Sequence, residues 1–292
     1  MMSVPDAGQL AESLEDATKT ITQSQPSLFS VTGKLVALPS CEVIVVGDLH
    51  GDISSLQYIL TKTWFRERAE DGEPVVLVCM GDYIDRGPGQ VEVLYMLTRL
   101  LTEQPGNVVL LRGNHEGPGD VGVSPHDFPY VLHRLYDEES EGVYRRFRAF
   151  ADQLYTAAIV PKRALILHGG VPVGSQSLND VAYAHRTHPE TDTLRQILWN
   201  DPMPEPGIAG SVRGVGYLFG SDVARRFLDA AGVQVLIRSH QSCEEGHCVM
   251  GDVHTLFSCK LPNYGNRKAA YMELPRAAAE PVENFSNYVK SF

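Results

Sequence analysis

Three apolar runs, spaced at near-equal intervals, each end in a glycine and a metal-capable or acid–base side chain. Val43-Ile44-Val45-Val46 leads into Gly47-Asp48-Leu49-His50-Gly51-Asp52. Val75-Val76-Leu77-Val78-Cys79-Met80 leads into Gly81-Asp82-Tyr83-Ile84-Asp85-Arg86-Gly87, and Val108-Val109-Leu110-Leu111 into Arg112-Gly113-Asn114-His115-Glu116-Gly117. The steps from 48 to 82 and from 82 to 114 are 34 and 32 residues, about one strand–helix–strand unit each. Unbroken β-branched runs read as buried strands, and glycine lets the backbone turn sharply at their carboxyl ends. Asp48 and His50, two residues apart, face one point if extended geometry persists that far. The intervening segments 53–68 and 90–102 have helical spacing and are read as crossover helices. Taken alone, the pattern predicts an open α/β sheet whose ligand lies outside the carboxyl ends of the strands.

The rest of the chain is read around that frame. Residues 8–23 form an amphipathic helix on the outside of the core, ended by Ser24-Gln25-Pro26. Residues 117–129 read as a long ordered loop beside the site. Helices over 127–137 and 139–152 follow, then a hairpin, 157–160 and 164–167, that runs into His168-Gly169-Gly170. Residues 171–220 are less regular, apart from Trp199-Asn200-Asp201-Pro202 and a glycine-rich stretch that carries Arg213. Ser221-Asp222 reads as the cap of a helix through Ala231, and a strand over 233–237 ends in Arg238-Ser239-His240. Strands over 244–250, 253–258 and 268–274 read as antiparallel. No linker interrupts the pattern, so the chain divides into an N-terminal helical segment (1–30), one catalytic domain (31–275) and a loosely attached tail (276–292).

Bulk properties narrow the function. A formal net charge of −11 argues against a generic nucleic-acid or anionic-membrane binder. The five cysteines are odd in number and two fall in or beside apparent buried strands, so no disulfide framework is expected and a reducing, cytoplasmic setting is. The N-terminus shows no apolar signal core, and no segment reaches the roughly 18 consecutive apolar residues of a membrane span.

Six metal-capable residues stand at strand ends: Asp48, His50, Asp82, Asn114, His168 and His240. Six such ligands are about what two adjacent divalent ions need when one carboxylate bridges and water fills the remaining positions. Two metals about 3.5–4 Å apart are the usual device for in-line attack on phosphorus, because they lower the pKa of a shared water and neutralise phosphoryl oxygens. Arg86, Arg112, Arg213 and Arg238 supply guanidinium forks that match phosphate oxygens. His115 has an orienting carboxylate in Asp85, as a general acid for the leaving oxygen requires. Spacing and residue type therefore reach a dinuclear metallophosphoesterase.

As a set, these motifs with His168-Gly169-Gly170 and Arg238-Ser239-His240-Gln241 resemble the phosphoprotein phosphatase family, in that family's order, over residues 30–275. Arg213-Gly214-Val215-Gly216-Tyr217-Leu218-Phe219-Gly220 and Leu261-Pro262-Asn263-Tyr264-Gly265 narrow the resemblance to its serine/threonine branch, the type 1, type 2A and calcineurin-like catalytic subunits. The Ser124-Pro125-His126-Asp127-Phe128-Pro129 segment looks more like a bacterial or archaeal member. The resemblance implies a β-sandwich of two mixed sheets flanked by helices, an α/β calcineurin-like metallophosphoesterase fold. It implies Asp48, His50 and Asp82 on one metal, and Asp82, Asn114, His168 and His240 on the other. Arg86, Asn114 and Arg213 would hold the phosphate, Tyr264 would stand at the rim, and His115, paired with Asp85, would protonate the departing serine or threonine oxygen. Manganese is the ion implied, with iron and zinc as alternatives, and phosphoserine or phosphothreonine proteins are the substrates. Gly265 stands where other members carry a rim cysteine, so capture by cysteine-reactive toxins is not expected. The 117–129 segment does not match the eukaryotic sequence, so regulatory-subunit grooves do not carry over.

Other histidines are read as structural: His126, His133, His185, His188, His247 and His254. His240, Cys243, His247, Cys248 and His254 lack the spacing of a zinc site, and Arg112 and Arg238 are read as orienting loops. Two rival functions stand beside the protein phosphatase: a diadenosine tetraphosphatase, against which Glu116 and the Asn263-Tyr264 loop count, and a non-catalytic phosphoprotein binder, against which the full set of ligands and the acid count. Asp82→Asn is expected to abolish turnover and bound metal together. Metal-dependent turnover surviving that substitution would remove Asp82 as the bridge.

Overall fold

The computed structural model describes residues 4–174, 177–276 and 282–292. The N-terminal half runs α1 (Ala7–Gln23), β1 (Ser30–Thr32), β2 (Leu35–Ala37), β3 (Glu42–Val46), α2 (Ile53–Lys62), α3 (Phe65–Glu70), β4 (Val75–Cys79), α4 (Gln90–Glu103), β5 (Val108–Leu110), α5 (Phe128–Tyr136) and α6 (Ser140–Ala151). There follow β6 (Ala157–Val160), β7 (Ala164–Leu167), α7 (Leu178–Thr187), α8 (Thr193–Trp199), β8 (Asp201–Pro202), β9 (Ile208–Gly210), β10 (Tyr217–Phe219) and α9 (Ser221–Ala231). The chain closes with β11 (Val235–Arg238), β12 (His247–Met250), β13 (Val253–Leu256), β14 (Ala270–Leu274) and β15 (Val289–Ser291).

Side chains of β3 and β4 alternate between two faces, as extended backbone requires. Ile44, Val46, Leu77 and Cys79 face a core that α1, α2, α4, α5 and α6 cover from outside. Val43, Val45, Val76 and Val78 face a second core, shared with Ala158, Val160, Ile166 and Ile237. Both faces are dry, which is why the sequence shows unbroken apolar runs. A third core lies beyond, where Leu165, Leu167 and Leu236 meet Ala184, Ile197 and Phe227 from α7, α8 and α9.

Two mixed sheets thus stack between helical layers. One has the order β15-β14-β3-β4-β5, the other β1-β2-β6-β7-β11-β13-β12, with a small sheet β8-β10-β9 beside them. β3, β4 and β5 are parallel, and β14 lies antiparallel to β3. The second sheet combines the parallel pairs β2/β6, β7/β11 and β11/β13 with antiparallel β6/β7 and β12/β13. The sandwich implied by the family resemblance is found, and the single open sheet drawn from spacing alone is corrected. The β6–β7 hairpin is apolar on both faces, so its inner face needs a second apolar sheet against it. Isolated bridges, Asp48 to Phe257 and Leu111 to Tyr155, tie the sheets together where β3 and β5 end.

Other expectations change in detail. The crossover after β3 is two helices, parted at Trp64, whose φ of 50° breaks the helical path. Residues 171–220 hold α7, α8 and the small sheet. Asp222 does not cap α9; its carboxylate accepts the Gly207 N–H instead (2.8 Å). The segment 276–292 is not wholly loose, because β15 pairs with β14 and Phe292 stacks on Tyr58 with ring centroids 4.2 Å apart. Cys243 and Cys248, expected to be unpaired, form a disulfide with Cα atoms 5.9 Å apart. A turn closed by the Gly246 N–H on the Cys243 carbonyl (2.9 Å) brings them together. Among the described residues no helix is long and apolar enough to cross a membrane.

The first helix is built into the fold. Asp6 and Gln9 form a reciprocal capping box at its start, and Leu10, Leu14 and Ala17 enter the core. Ser13 reaches across to the Thr98 hydroxyl on α4 (2.6 Å). Leu14 is fully buried, so Leu14→Ala is expected to cost about 3 kcal/mol of stability, read as a lowered urea midpoint at constant slope.

Candidate active site

β3, β4, β5, β7 and β11 deliver Asp48, Asp82, Asn114, His168 and His240 to one place, with His50 from the turn after β3. All six are buried, none more than 8% exposed. Backbone carbonyls fix two of the imidazoles. His50 Nδ1 donates to the Ile84 carbonyl (2.8 Å) and His168 Nδ1 to that of Met80 (2.9 Å), so each Nε2 presents a lone pair inward. His50 Nε2 lies 3.3 Å from Asp82 Oδ2 and 3.8 Å from Asp48 Oδ2. His168 Nε2 lies 3.5 Å from Asp82 Oδ1 and 3.2 Å from His240 Nδ1. Burial, together with the neighbouring His168, Arg213 and Arg238, holds His240 well below the usual imidazole range, so it faces the cluster neutral. The end of the Asn114 amide stands 2.9 Å from both His168 Nε2 and His240 Nδ1, and 3.1 and 3.3 Å from the Asp82 oxygens, its NH2 donating to them in one orientation and its oxygen facing them in the other.

Ligand-capable atoms therefore crowd around Asp82, whose Oδ1 takes the His115 backbone N–H (3.0 Å) while its Oδ2 faces His50. Burying acceptors this way is unfavourable unless a cation satisfies them, and the mix of carboxylate, imidazole and amide oxygen suits first-row divalent ions. Two groups share Asp82: it lies with His50 and His115 in one and with His168 and His240 in the other, the ligand-capable atoms of each group within 4.8 Å of one another. Asp48 stands beside the first, its Oδ1 held by the Ser239 hydroxyl (2.5 Å) and the His240 N–H (3.0 Å).

A second set of groups faces the same place. His115 Nδ1 donates to Asp85 Oδ2 (2.5 Å), while its Nε2 is buried and has no partner among the described residues. Burial acts against the Asp85 charge, but hydrogen bonds from His115 and His126 hold its carboxyl well below the usual range. Arg86 Nη1 lies 3.4 Å from the Tyr264 hydroxyl, and its Nε is buried and unsatisfied. Tyr264 stacks over His50, with centroids 5.5 Å apart. Arg213 is a third exposed; its Nε pairs with Asp201 Oδ2 (2.7 Å) and its Nη2 lies 3.5 Å from the His240 carbonyl.

Arg112 and Arg238 point elsewhere. Arg112 bonds the Glu116 carbonyl and Asp152 (both 2.7 Å). Arg238, fully buried, joins Asp201 (2.7 Å), the Asn200 carbonyl (3.1 Å) and Gln241 (2.7 Å). Sequence reasoning missed Asp201, which holds Arg238 and Arg213 at once, although its place in Asn200-Asp201-Pro202 drew notice. It also missed Glu116 as a clamp: the carboxylate accepts N–H groups of Asp82 and Tyr83 (both 2.8 Å) and of Gly113 (3.1 Å). His126, read as structural, bonds Asp85 (2.9 Å). No local pattern marks such contacts, since the partners are far apart in sequence.

The backbone is strained here. His50, Asp82, Asp85, Arg86 and His240 all have φ between 43° and 72°, in the left-handed region that favours glycine. Gly113 is required for a different reason: a methyl there would collide with the backbone nitrogen and carboxylate of Asp82.

The likeness to known proteins points the same way. Residues 42–244 match the profile of the family described as calcineurin-like phosphoesterase. A chain named "Probable serine/threonine-protein phosphatase" from Encephalitozoon cuniculi is 36% identical over 84% of this chain, which spans 52% of that protein. A catalytic subunit of protein phosphatase 2A from Dictyostelium discoideum is 33% identical over 89% of this chain and 81% of its own length. The solved structure of a protein serine/threonine phosphatase from Saccharomyces cerevisiae superposes with a TM-score of 0.76, covering 99% of this chain and 90% of that one at 24% identity, and so shows the fold.

Removing the shared anchor tests how the site is held. Asp201→Ala is expected to leave Arg238 charged, buried and uncompensated, costing about 3–5 kcal/mol in chemical denaturation. Replacing both partners, as in Asp201→Asn with Arg238→Met, is expected to restore part of that loss.

Proposed function

The chain belongs to the calcineurin-like phosphoesterase family, and from that premise we propose that it is a metal-dependent serine/threonine protein phosphatase. The observation that carries the reading is the convergence on one point of two ligand-capable clusters sharing Asp82, with a His115 Nε2 and an Arg86 Nε that have no partner among the described residues. Such a place asks for cations and for an anion with a proton-accepting oxygen, which is what a phosphomonoester brings.

In this reading Asp48, His50 and Asp82 hold one divalent ion, and Asp82, Asn114, His168 and His240 hold the other, manganese being proposed with iron and zinc as alternatives. When bound, the two ions supply an activated water and neutralise charge on the phosphoryl oxygens. The protein's own residues do the remainder. Arg86 and Arg213, with the Asn114 amide, bind phosphoryl oxygens, and Asp201 keeps Arg213 turned inward. His115 carries a proton on Nε2 and gives it to the departing seryl or threonyl oxygen. Asp85, held ionised, keeps the ring in that orientation and balances the charge of the protonated imidazole. Tyr264, stacked on His50 beside Arg86, forms the rim.

Protein substrates are favoured over dinucleotides because two curated relatives above 30% identity are named serine/threonine or type 2A protein phosphatases. A cytoplasmic setting is part of the same proposal. Three buried unpaired cysteines, Cys41, Cys79 and Cys259, support it, and the Cys243–Cys248 bond counts the other way. The test is phosphate release by the manganese-loaded chain, with a phosphothreonine peptide expected to be hydrolysed in preference to diadenosine tetraphosphate; the reverse preference would move the function to nucleotide hydrolysis. His115→Asn is expected to keep its metal and to lose about a hundredfold or more on the peptide but far less on p-nitrophenyl phosphate, whose leaving group hardly needs an acid.

A further inference from the structure

Three consecutive residues at the end of the 117–127 loop grip the turn that carries Asp85 and Arg86. Phe128 donates its N–H to Asp85 Oδ1 (2.8 Å). Asp127 accepts the Arg86 N–H (2.8 Å) and the Gln90 side-chain N–H (3.2 Å). His126 places Nδ1 2.9 Å from Asp85 Oδ2, the same oxygen that His115 Nδ1 approaches at 2.5 Å. Its other nitrogen, Nε2, lies 2.9 Å from the Tyr144 hydroxyl on α6.

Proton accounting gives this chain of contacts a direction. An ionised carboxylate only accepts, so both imidazoles facing Asp85 Oδ2 carry their proton on Nδ1. A neutral His126 then has a lone pair on Nε2, which the Tyr144 hydroxyl satisfies by donating. Tyr144 thereby selects the tautomer in which His126 donates to Asp85. Three N–H donors, from His115, His126 and Phe128, fix both carboxylate oxygens, so the Asp85 side chain cannot rotate away from His115.

We propose that His126, oriented by Tyr144, is a positioning residue for the proton donor: it locks Asp85 so that His115 Nε2 stays aimed at the leaving oxygen. The inference rests on the reading of His115 as that donor and extends it to His126 and Tyr144. Anchoring the loop does not need His126, because Asp127 and the buried Phe128 already hold it. The His126 side chain is 26% exposed, and its two side-chain hydrogen bonds go to Asp85 and Tyr144. It touches no substrate and acts only through Asp85 and His115.

The experiment measures kcat and KM on a phosphothreonine peptide and on p-nitrophenyl phosphate, with bound manganese and thermal midpoint, for His126→Ala, His126→Asn, Tyr144→Phe and His115→Asn. His126→Ala is expected to lower kcat on the peptide about tenfold and on p-nitrophenyl phosphate less than about threefold, with KM and bound metal unchanged. His126→Asn, whose amide N–H reaches the Nδ1 position, is expected to recover most of the loss. Tyr144→Phe, which removes one oxygen and keeps the protein testable should His126→Ala fail to fold, is expected to shift in the same direction by less. In the double variant of His115→Asn with His126→Ala, the second change should add nothing, since both act at one proton. Equal losses on the two substrates for His126→Ala, or a full additional loss in the double variant, would overturn the proposal while His115→Asn kept its leaving-group dependence. Equal losses for His115→Asn itself would remove the proton-donor reading and this inference with it.

Discussion

Around Asp82 the protein crowds together more acceptors than the one backbone N–H that reaches its carboxylate, from His115 (3.0 Å), can satisfy. Two carboxylate oxygens, the end of the Asn114 amide, and facing nitrogens of His50, His168 and His240 lie within about one hydrogen-bond length of a neighbour, all out of solvent. Lone pairs forced together in a low-dielectric interior repel, and the cost has to be met by cation binding or by the rest of the fold. The surroundings fit that demand. Glu116, itself fully buried and pushed up to about 7 by burial and by Asp82, ties the Asp82 and Gly113 loops together through three backbone N–H groups.

The cluster also explains the strained backbone. Carboxylates and imidazoles from separate strands converge only if the chain reverses at once after each strand, and this puts His50, Asp82 and His240 in left-handed conformations. Those conformations persist because neighbouring loops over-determine them: Leu49 and His50 both donate to the Asp82 carbonyl (3.1 and 2.8 Å), and Gly51 to that of Tyr83 (3.0 Å). Burial of Arg238 follows the same logic on the second sheet. Its guanidinium joins the loops carrying Asn200 and Gln241, with Asp201 balancing its charge, and so the turn holding His240 is positioned by a buried ion pair.

The loop that leads into α5 supports this centre. With the first residue of α5 it supplies His126, Asp127 and Phe128 to the Asp85–Arg86 turn. A carboxylate that orients an imidazole is useful only as far as it is itself held. Here that support comes from a loop and from a tyrosine one helix further on.

Much of this was legible in the chain. The unbroken runs of β3 and β4 marked strands buried on both faces, and the glycine-flanked Asp48, Asp82, Asn114 and His168, with His240 after the run 233–237, marked where strands end, because period-2 burial and turn chemistry are local. The metal-capable set and the His115–Asp85 pair were likewise readable as residue types in sequence. The second sheet that places His168 and His240 against Asp82 came only through the family resemblance and not from spacing, and two features were not legible at all: the return of β15 to the edge of the first sheet, and the joining of Asp201, Glu116 and His126 to residues as much as 41 positions away. Those depend on which apolar faces find each other and on where that packing leaves polar groups without water. Residue order alone set which side chains could do the chemistry. Which of them meet was left to packing, because hydrogen-bond partners are chosen by distance in the folded core and not by spacing along the chain.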